Sequence, residues 1–221
     1  MCDLAPADEP RTIACTHDFR HKGRRWARGA VLSLVGRFRG SLSMTISPSH
    51  AVTGAASTVA ALPLTAEGFA PFGDVIGDTG CAGRSVNEGR GERIDISAGL
   101  VHATGAHSPS MALYRIVASH WPVRIAVMER HPLTAQMFHP LGGASSLVVV
   151  APDAADGGPD MARARAFVAG PDQGFVYAPG VWHLPLVSLH RPGLFSMLMW
   201  ETGDARDCEI VAIETSLLVT G

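Results

Sequence analysis

Cysteine is scarce in this 221-residue chain. The four, Cys2, Cys15, Cys81 and Cys208, include no C-x-x-C pair. That argues against a zinc knuckle or a disulfide framework and makes a reducing cytoplasm the expected setting. Lysine is rarer still, with Lys22 the only one. No apolar run approaches the roughly 20 residues of a membrane-spanning helix; the longest, such as residues 147–151, are strand-sized. Strong net charge is missing as well, at −2. Of 18 basic and 20 acidic residues, positions 1–57 hold eight and four, leaving ten arginines and sixteen acids from 58 onward. The larger part is mildly acidic and has no general attraction for nucleic acid. Heptads, solenoid repeats and Gly-rich phosphate loops are absent too. With 47% hydrophobic residues, what remains is one ordinary domain with a packed core.

Residues 1–57 read differently from the rest. His21-Lys22-Gly23-Arg24-Arg25-Trp26-Ala27-Arg28 is basic, residues 30–35 form a short apolar stretch, and 41–56 are poor in bulky side chains. Asp3, Asp8 and Glu9 open the chain, where a signal peptide would place basic residues. One basic cluster without interleaved aromatics is a weak signal for a nucleic-acid arm. The composition predicts a disordered leader over 1–57, with Met44 as an alternative start, and a folded domain over 58–221.

From residue 62 the punctuation is that of an all-β domain, with short apolar runs separated by Gly, Pro and Asp clusters. Strands are expected at 111–116, 125–129, 135–140, 146–151, 164–168, 174–177, 184–189, 195–200 and 208–213. One helical turn is expected at 65–69, with Thr65 as cap and Pro71 as stop. Closing so many short strands into a barrel removes exposed edges.

Two stretches carry chemistry. In Glu129-Arg130-His131-Pro132, alternate residues of a strand share a face, so Glu129 and His131 point one way and Arg130 the other. In Gly174-Phe175-Val176-Tyr177-Ala178-Pro179-Gly180-Val181-Trp182-His183, Pro-Gly makes a tight turn that delivers His183 to the next strand. These resemble the two cupin motifs. Glu129, His131, Gln136 and Gly143 keep the spacing of the first, with Glu for its first His and Gln for its Glu; Gly174, Pro179, Gly180 and His183 fill the second. The fold implied is a cupin, a double-stranded β-helix barrel with a few short helices. Two imidazoles, a carboxylate and a carboxamide oxygen suit a divalent first-row metal, more loosely bound than at a standard cupin site because Gln is neutral.

The residues are more specific than that. Glu129-Arg130-His131-Pro132, then Gln136-x-Phe138, Pro140-Leu141 and Gly180-Val181-Trp182-His183-x-Pro185-Leu186, resemble the ureidoglycolate lyase family. Leu62-Pro63-Leu64 with Phe69-Ala70-Pro71-Phe72-Gly73-Asp74-Val75-Ile76 looks like its opening segment. Asn87-x-Gly89 with Arg93 looks like an early substrate-side motif, and Asp207-Cys208-Glu209 like an acidic turn before its last strand. The resemblance covers residues 62 to about 214 and implies cleavage of (S)-ureidoglycolate to glyoxylate and urea in purine-nitrogen catabolism. It also implies a homodimer and a divalent metal, Ni2+ first, with Mn2+ or Zn2+ as alternatives.

Glu129, His131, Gln136 and His183 are the expected metal set and cavity lining. Without a metal, Glu129 or a histidine would serve as the base directly. Arg93 would clamp the substrate carboxylate, Asn87 and Gln136 would contact substrate, and Tyr177 would donate to the leaving nitrogen. Trp182 reads as a structural wedge and Arg130 as an ion-pair residue. His17, His21, His50, His102, His107, His120 and His190 have no motif support. Rival readings are ureidoglycolate amidohydrolase, another metal-dependent cupin enzyme, and a non-catalytic cupin that binds a small carboxylate.

Overall fold

The computed structural model describes residues 20–21, 24–25, 57–77, 82–96 and 98–221. Two compact units divide the chain, Met1–Pro48 and Ser49–Gly221. In the first, β1 (Arg20–His21) pairs antiparallel with β2 (Arg24–Arg25). Apart from that pair and Ser57, the expected disordered leader lies outside the described residues, as do the alternative start at Met44 and Cys2, Cys15 and Cys81.

The second unit is nearly all strand. It opens with β3 (Ser57–Ala60), β4 (Leu62–Pro63), helix α1 (Ala66–Phe69) and β5 (Gly73–Ile76), then the hairpin β6 (Arg84–Val86) and β7 (Gly91–Arg93). Next come β8 (Ser108–Ile116), β9 (Ala118–Ser119), β10 (Val123–Arg130), β11 (Gln136–Pro140), β12 (Ser146–Ala151) and β13 (Arg165–Ala169). The last are β14 (Gly174–Tyr177), β15 (Trp182–His183), β16 (Val187–Leu189), β17 (Gly193–Glu201) and β18 (Glu209–Thr220). One sheet has the order β5-β14-β11-β17-β8. The larger has the order β3-β18-β10-β15-β12-β13-β4, with β16 on β12 and β9 on β16. This is the expected all-β, cupin-type architecture.

The core explains the pattern of the strands. Every residue of β12 is buried. Val148 and Val150 pack with Phe138, Phe175, Tyr177 and Met197 of the smaller sheet. Leu147, Val149 and Ala151 lie on the opposite face with Ile125, Met128, Trp182, Leu217 and Val219. A strand covered on both faces needs an unbroken apolar run, which is how 146–151 reads in the sequence. Helix α1 plugs the first cluster. The Thr65 hydroxyl accepts from the Gly68 N–H at 3.1 Å, and Phe69 meets the Phe167 ring edge-on at 5.8 Å.

Several element boundaries differ from expectation for physical reasons. Of the strand expected at 184–189 only β16 forms; β15 precedes it, and Leu184-Pro185-Leu186 lie between them, where Pro185 has no N–H for the ladder. The last strand runs on past Ile213 to Thr220, where its far half pairs with β3 and with the start of β10 across a register shift between Ile125 and Val127. No strand is expected before residue 111, yet β3 to β7 lie there, and β8 begins at Ser108. Pro109 is tolerated in β8 because that strand is the edge of its sheet.

Candidate active site

The chain crosses between the two sheets at two neighbouring corners, and Glu129, His131, Gln136, Tyr177 and His183 lie in or beside them. Residues 131–135 carry it from β10 in the larger sheet to β11 in the smaller. Residues 178–181 carry it from β14 in the smaller sheet to β15 in the larger. The corners are tied together: the Gly180 N–H donates to the His131 carbonyl at 2.8 Å. Gly180 turns with φ +81°, a conformation glycine enters without a Cβ penalty.

Register then sets which side chains meet. Glu129 and His183 are directly opposed on β10 and β15, where side chains of an antiparallel pair share one face. Glu129 Oε1 lies 3.4 Å from His183 Nε2, and the His131 and His183 rings are 5.7 Å apart. Glu129, His131 and His183 present one ligand atom each, all within 4.8 Å of one another. Across the corner, Gln136 is opposed to both Tyr177 and Met199. Its Nε2 lies 3.7 Å from the Met199 sulfur. Tyr177 stacks on His183 with centroids 3.9 Å apart and planes 14° from parallel.

Each imidazole has one nitrogen committed. His131 Nδ1 donates to the Asp207 carbonyl at 2.6 Å, and His183 Nδ1 donates to the Val181 carbonyl at 2.9 Å. Both bonds place a proton on Nδ1, and in each ring Nε2 is the atom left without a hydrogen-bond partner. Those two atoms and Gln136 Oε1 are buried and accept no hydrogen bond. Buried acceptors without donors are costly, and a divalent cation is the partner that relieves several at once. The triad therefore fits a metal: two Nε2 atoms and one carboxylate oxygen within 4.8 Å of one another.

The electrostatics agree. Burial pushes the Glu129 carboxyl up, but the His183 hydrogen bond and the His183 and His131 imidazoles outweigh it and hold the group below its ordinary range. Burial lowers His131, the neighbouring His183 adds to that, and the His131 ring stays neutral at neutral pH. Burial, with the Glu129 charge behind it, holds the Tyr177 hydroxyl well above the ordinary range, so it keeps its proton. Ionised Glu129, neutral His131 and protonated Tyr177 coexist in one cavity.

Other expected residues lie elsewhere. Arg130 points away from the cavity, as strand alternation predicts. Its guanidinium bonds Glu209 at 2.8 Å and Asp153 at 2.9 Å and covers the Trp182 ring at 4.5 Å. Trp182 is buried within the second core cluster, as a wedge should be. Asn87 and Arg93 sit on the exposed β6–β7 hairpin, where Arg93 pairs with Asp95 at 2.5 Å. Neither has a described bond to the triad. Of the histidines without motif support, His102, His107, His120 and His190 are exposed; His17 and His50 lie outside the described residues.

Sequence reasoning missed Asp207 as a buried anchor. It is only 5% exposed, and its carboxylate accepts from the Leu133 N–H at 2.6 Å and from the Thr134 hydroxyl. Asp207-Cys208-Glu209 is visible as an acidic turn, but nothing local marks which acid turns inward. Met199 was missed likewise, because a thioether partner for a glutamine has no sequence signal.

The family model described as ureidoglycolate lyase matches residues 56–220. A ureidoglycolate lyase from Brucella melitensis is 44% identical over 139 residues, 62% of this chain and 80% of that protein. One from Pseudomonas syringae pv. syringae is 37% identical over 158 residues, 71% of this chain and 91% of that protein. Among solved structures, RmlC from Streptococcus suis in complex with dTDP-D-xylose overlaps 42% of this chain and 43% of that one, with 12% identity and a TM-score of 0.30. So partial an overlap carries no argument, and the fold rests on the strand pairing itself.

Proposed function

The chain belongs to the ureidoglycolate lyase family, and from that premise we propose that its corner cavity cleaves (S)-ureidoglycolate to glyoxylate and urea. The observation that carries the proposal is the convergence of an ionised Glu129 with the unpaired His131 Nε2 and His183 Nε2 atoms.

The reaction moves one proton and breaks one bond. The substrate hydroxyl loses its proton, the carbonyl of glyoxylate forms, the C–N bond breaks, and the leaving nitrogen is protonated to give urea. Without a metal, Glu129 takes the hydroxyl proton directly, a role that suits a carboxylate kept ionised by its imidazole neighbours. Tyr177, protonated and fixed against His183, donates toward the leaving nitrogen. Glu129, His131, His183 and Gln136 would hold a divalent metal, Ni2+ on the family resemblance, with Mn2+ or Zn2+ as alternatives. Such a cation acidifies a hydroxyl and neutralises a carboxylate. Gln136 also supplies an acceptor for the ureido N–H groups. Arg93 clamps the carboxylate and Asn87 bonds the ureido group. For this, Arg93 exchanges Asp95 for substrate, a small cost because exposed ion pairs are weak.

The same reading takes the protein to be a cytoplasmic homodimer. Cysteine scarcity supports the compartment, and no described helix is long and apolar enough to cross a membrane. Met111 and Leu113 on edge strand β8, with Val117 just beyond, are exposed apolar residues suited to a self-association surface. Light scattering would measure the assembly; a monomer at micromolar concentration would remove it.

The test of the function is product identity. Purified protein given ureidoglycolate should release urea and glyoxylate together. Ammonia without urea would overturn the lyase assignment.

A further inference from the structure

We propose that Asp207 is a positioning residue, which with Thr134 sets the tautomer and direction of the His131 ring. The inference rests on the cavity reading above, but its first readout does not need a metal or a substrate.

Three bonds converge on Asp207 from one short stretch of chain. Its carbonyl accepts the His131 Nδ1–H at 2.6 Å. One carboxylate oxygen accepts the Leu133 N–H, also at 2.6 Å, and the other accepts the Thr134 hydroxyl. The two segments are more than seventy residues apart in sequence, so the staple is purely tertiary. Asp207 ends the 3-10 turn Ala205–Asp207, in which the Asp204 side chain accepts the Arg206 N–H. The Thr134 side is fixed as well: Thr134 bridges to His102, the Ala103 N–H donates to the Leu133 carbonyl, and the Ala135 N–H donates to the Val101 carbonyl.

The consequence for His131 follows from geometry. A ring at the start of a crossover has no ladder to fix it, and its backbone carbonyl is held by the Gly180 N–H. The Asp207 carbonyl holds the opposite end, forcing the proton onto Nδ1 and leaving Nε2 bare in the cavity. The Asp207 carboxylate hydrogen-bonds Leu133 and Thr134 rather than the ring, while its charge also raises His131. It acts by clamping residues 133 and 134, which keeps the carbonyl under Nδ1. A group of this kind, one bond removed from a metal ligand, typically changes metal affinity or activity about 10- to 100-fold when lost.

The experiment compares wild type with Asp207→Ala, Asp207→Asn, Thr134→Val and Thr134→Ser. Histidine 15N spectra of metal-free protein report the His131 tautomer, and calorimetry with nickel chloride alone reports affinity. Asp207→Ala and Thr134→Val should shift His131 away from a pure Nδ1–H signature and weaken nickel binding about 10- to 100-fold and somewhat less, respectively. Asn and Ser, which keep part of the clamp, should recover most of both. If Asp207→Ala fails to fold, Thr134→Val, which leaves the Leu133 bond in place, still decides the matter. A folded Thr134→Val protein with an unchanged His131 signature would overturn the proposal. Wild type that binds no nickel, but whose His131 signature responds to these variants, would sink the metal and leave the positioning role standing.

Discussion

Glu129 and His183 face each other directly across the β10–β15 ladder, with carboxylate oxygen and Nε2 3.4 Å apart. One belongs to the first motif and the other to the second, 54 residues later in the chain. Their meeting converts two sequence motifs into a single cavity, and it sets what each substitution should do.

Glu129→Gln keeps the shape and removes the charge. Turnover should fall at least roughly 10²-fold, the lower end expected for losing general base help. The Glu129 charge also raises His131, so the His131 pKa should drop further in the variant. NMR titration of His131 checks the second effect separately from activity. An unchanged His131 titration would show that the two groups are not coupled.

Stability should decline with acidification in two steps. His131 titrates below its ordinary value of 6.5 in the folded protein, because of burial and His183. As pH falls through 6.5, the unfolded chain takes up a proton that the folded one refuses, and stability is lost until the folded pKa is passed. Glu129 acts in the same direction at lower pH. Burial opposes ionisation there, but the imidazoles prevail, so its stabilisation is present above its ordinary 4.5 and lost as pH falls through its folded value. Thermal unfolding of metal-free protein should show both steps. His131→Asn should remove the upper one and shrink the lower, because His131 also helps lower Glu129.

Gln136→Glu should separate metal affinity from intrinsic stability. It restores the acidic donor of the standard cupin motif at a position only 4% exposed. Close to ionised Glu129, a second buried carboxylate is costly by itself and favourable around a cation. With chelator present the variant should melt below wild type. With excess nickel chloride it should melt above it. The same order in both conditions would argue that Gln136 does not contact the ion.

Two glycines beside the site should respond very differently to alanine. A Cβ on Gly180 meets no atom within 4 Å, so Gly180→Ala costs only the left-handed backbone, about 1–2 kcal/mol. Gly73, opposed to Tyr177 on β5, has φ +147°, and a Cβ there would lie 1.8 Å from the Val176 carbonyl oxygen. Overlap adds to strain, and Gly73→Ala should lose well beyond that amount. Urea unfolding of both variants gives the comparison.

Much of this was legible from residues in order. Strands 146–151 and 174–177 are where they were expected, because a strand buried on both faces writes a continuous apolar run. Thr65 before Ala66–Phe69 gave the helix start, because a cap is a local chemical signal. Glu129, His131, Gln136 and His183 were expected together because motif spacing reflects strand alternation and a tight turn. The early strands were hidden for the opposite reason. Short exposed segments such as β6 and β7 carry no periodicity and exist because a partner pairs with them.

The sequence by itself determined the fold class, the two motifs and the donor types they bring, all consequences of local chemistry and period. Tertiary structure alone decided that Glu129 opposes His183, that the corners at His131 and Gly180 are bonded, and that Asp207 turns inward beneath the His131 ring. Those relationships join residues dozens of positions apart. They depend on which strands become neighbours and in what register, and sheet closure sets that for the whole chain at once.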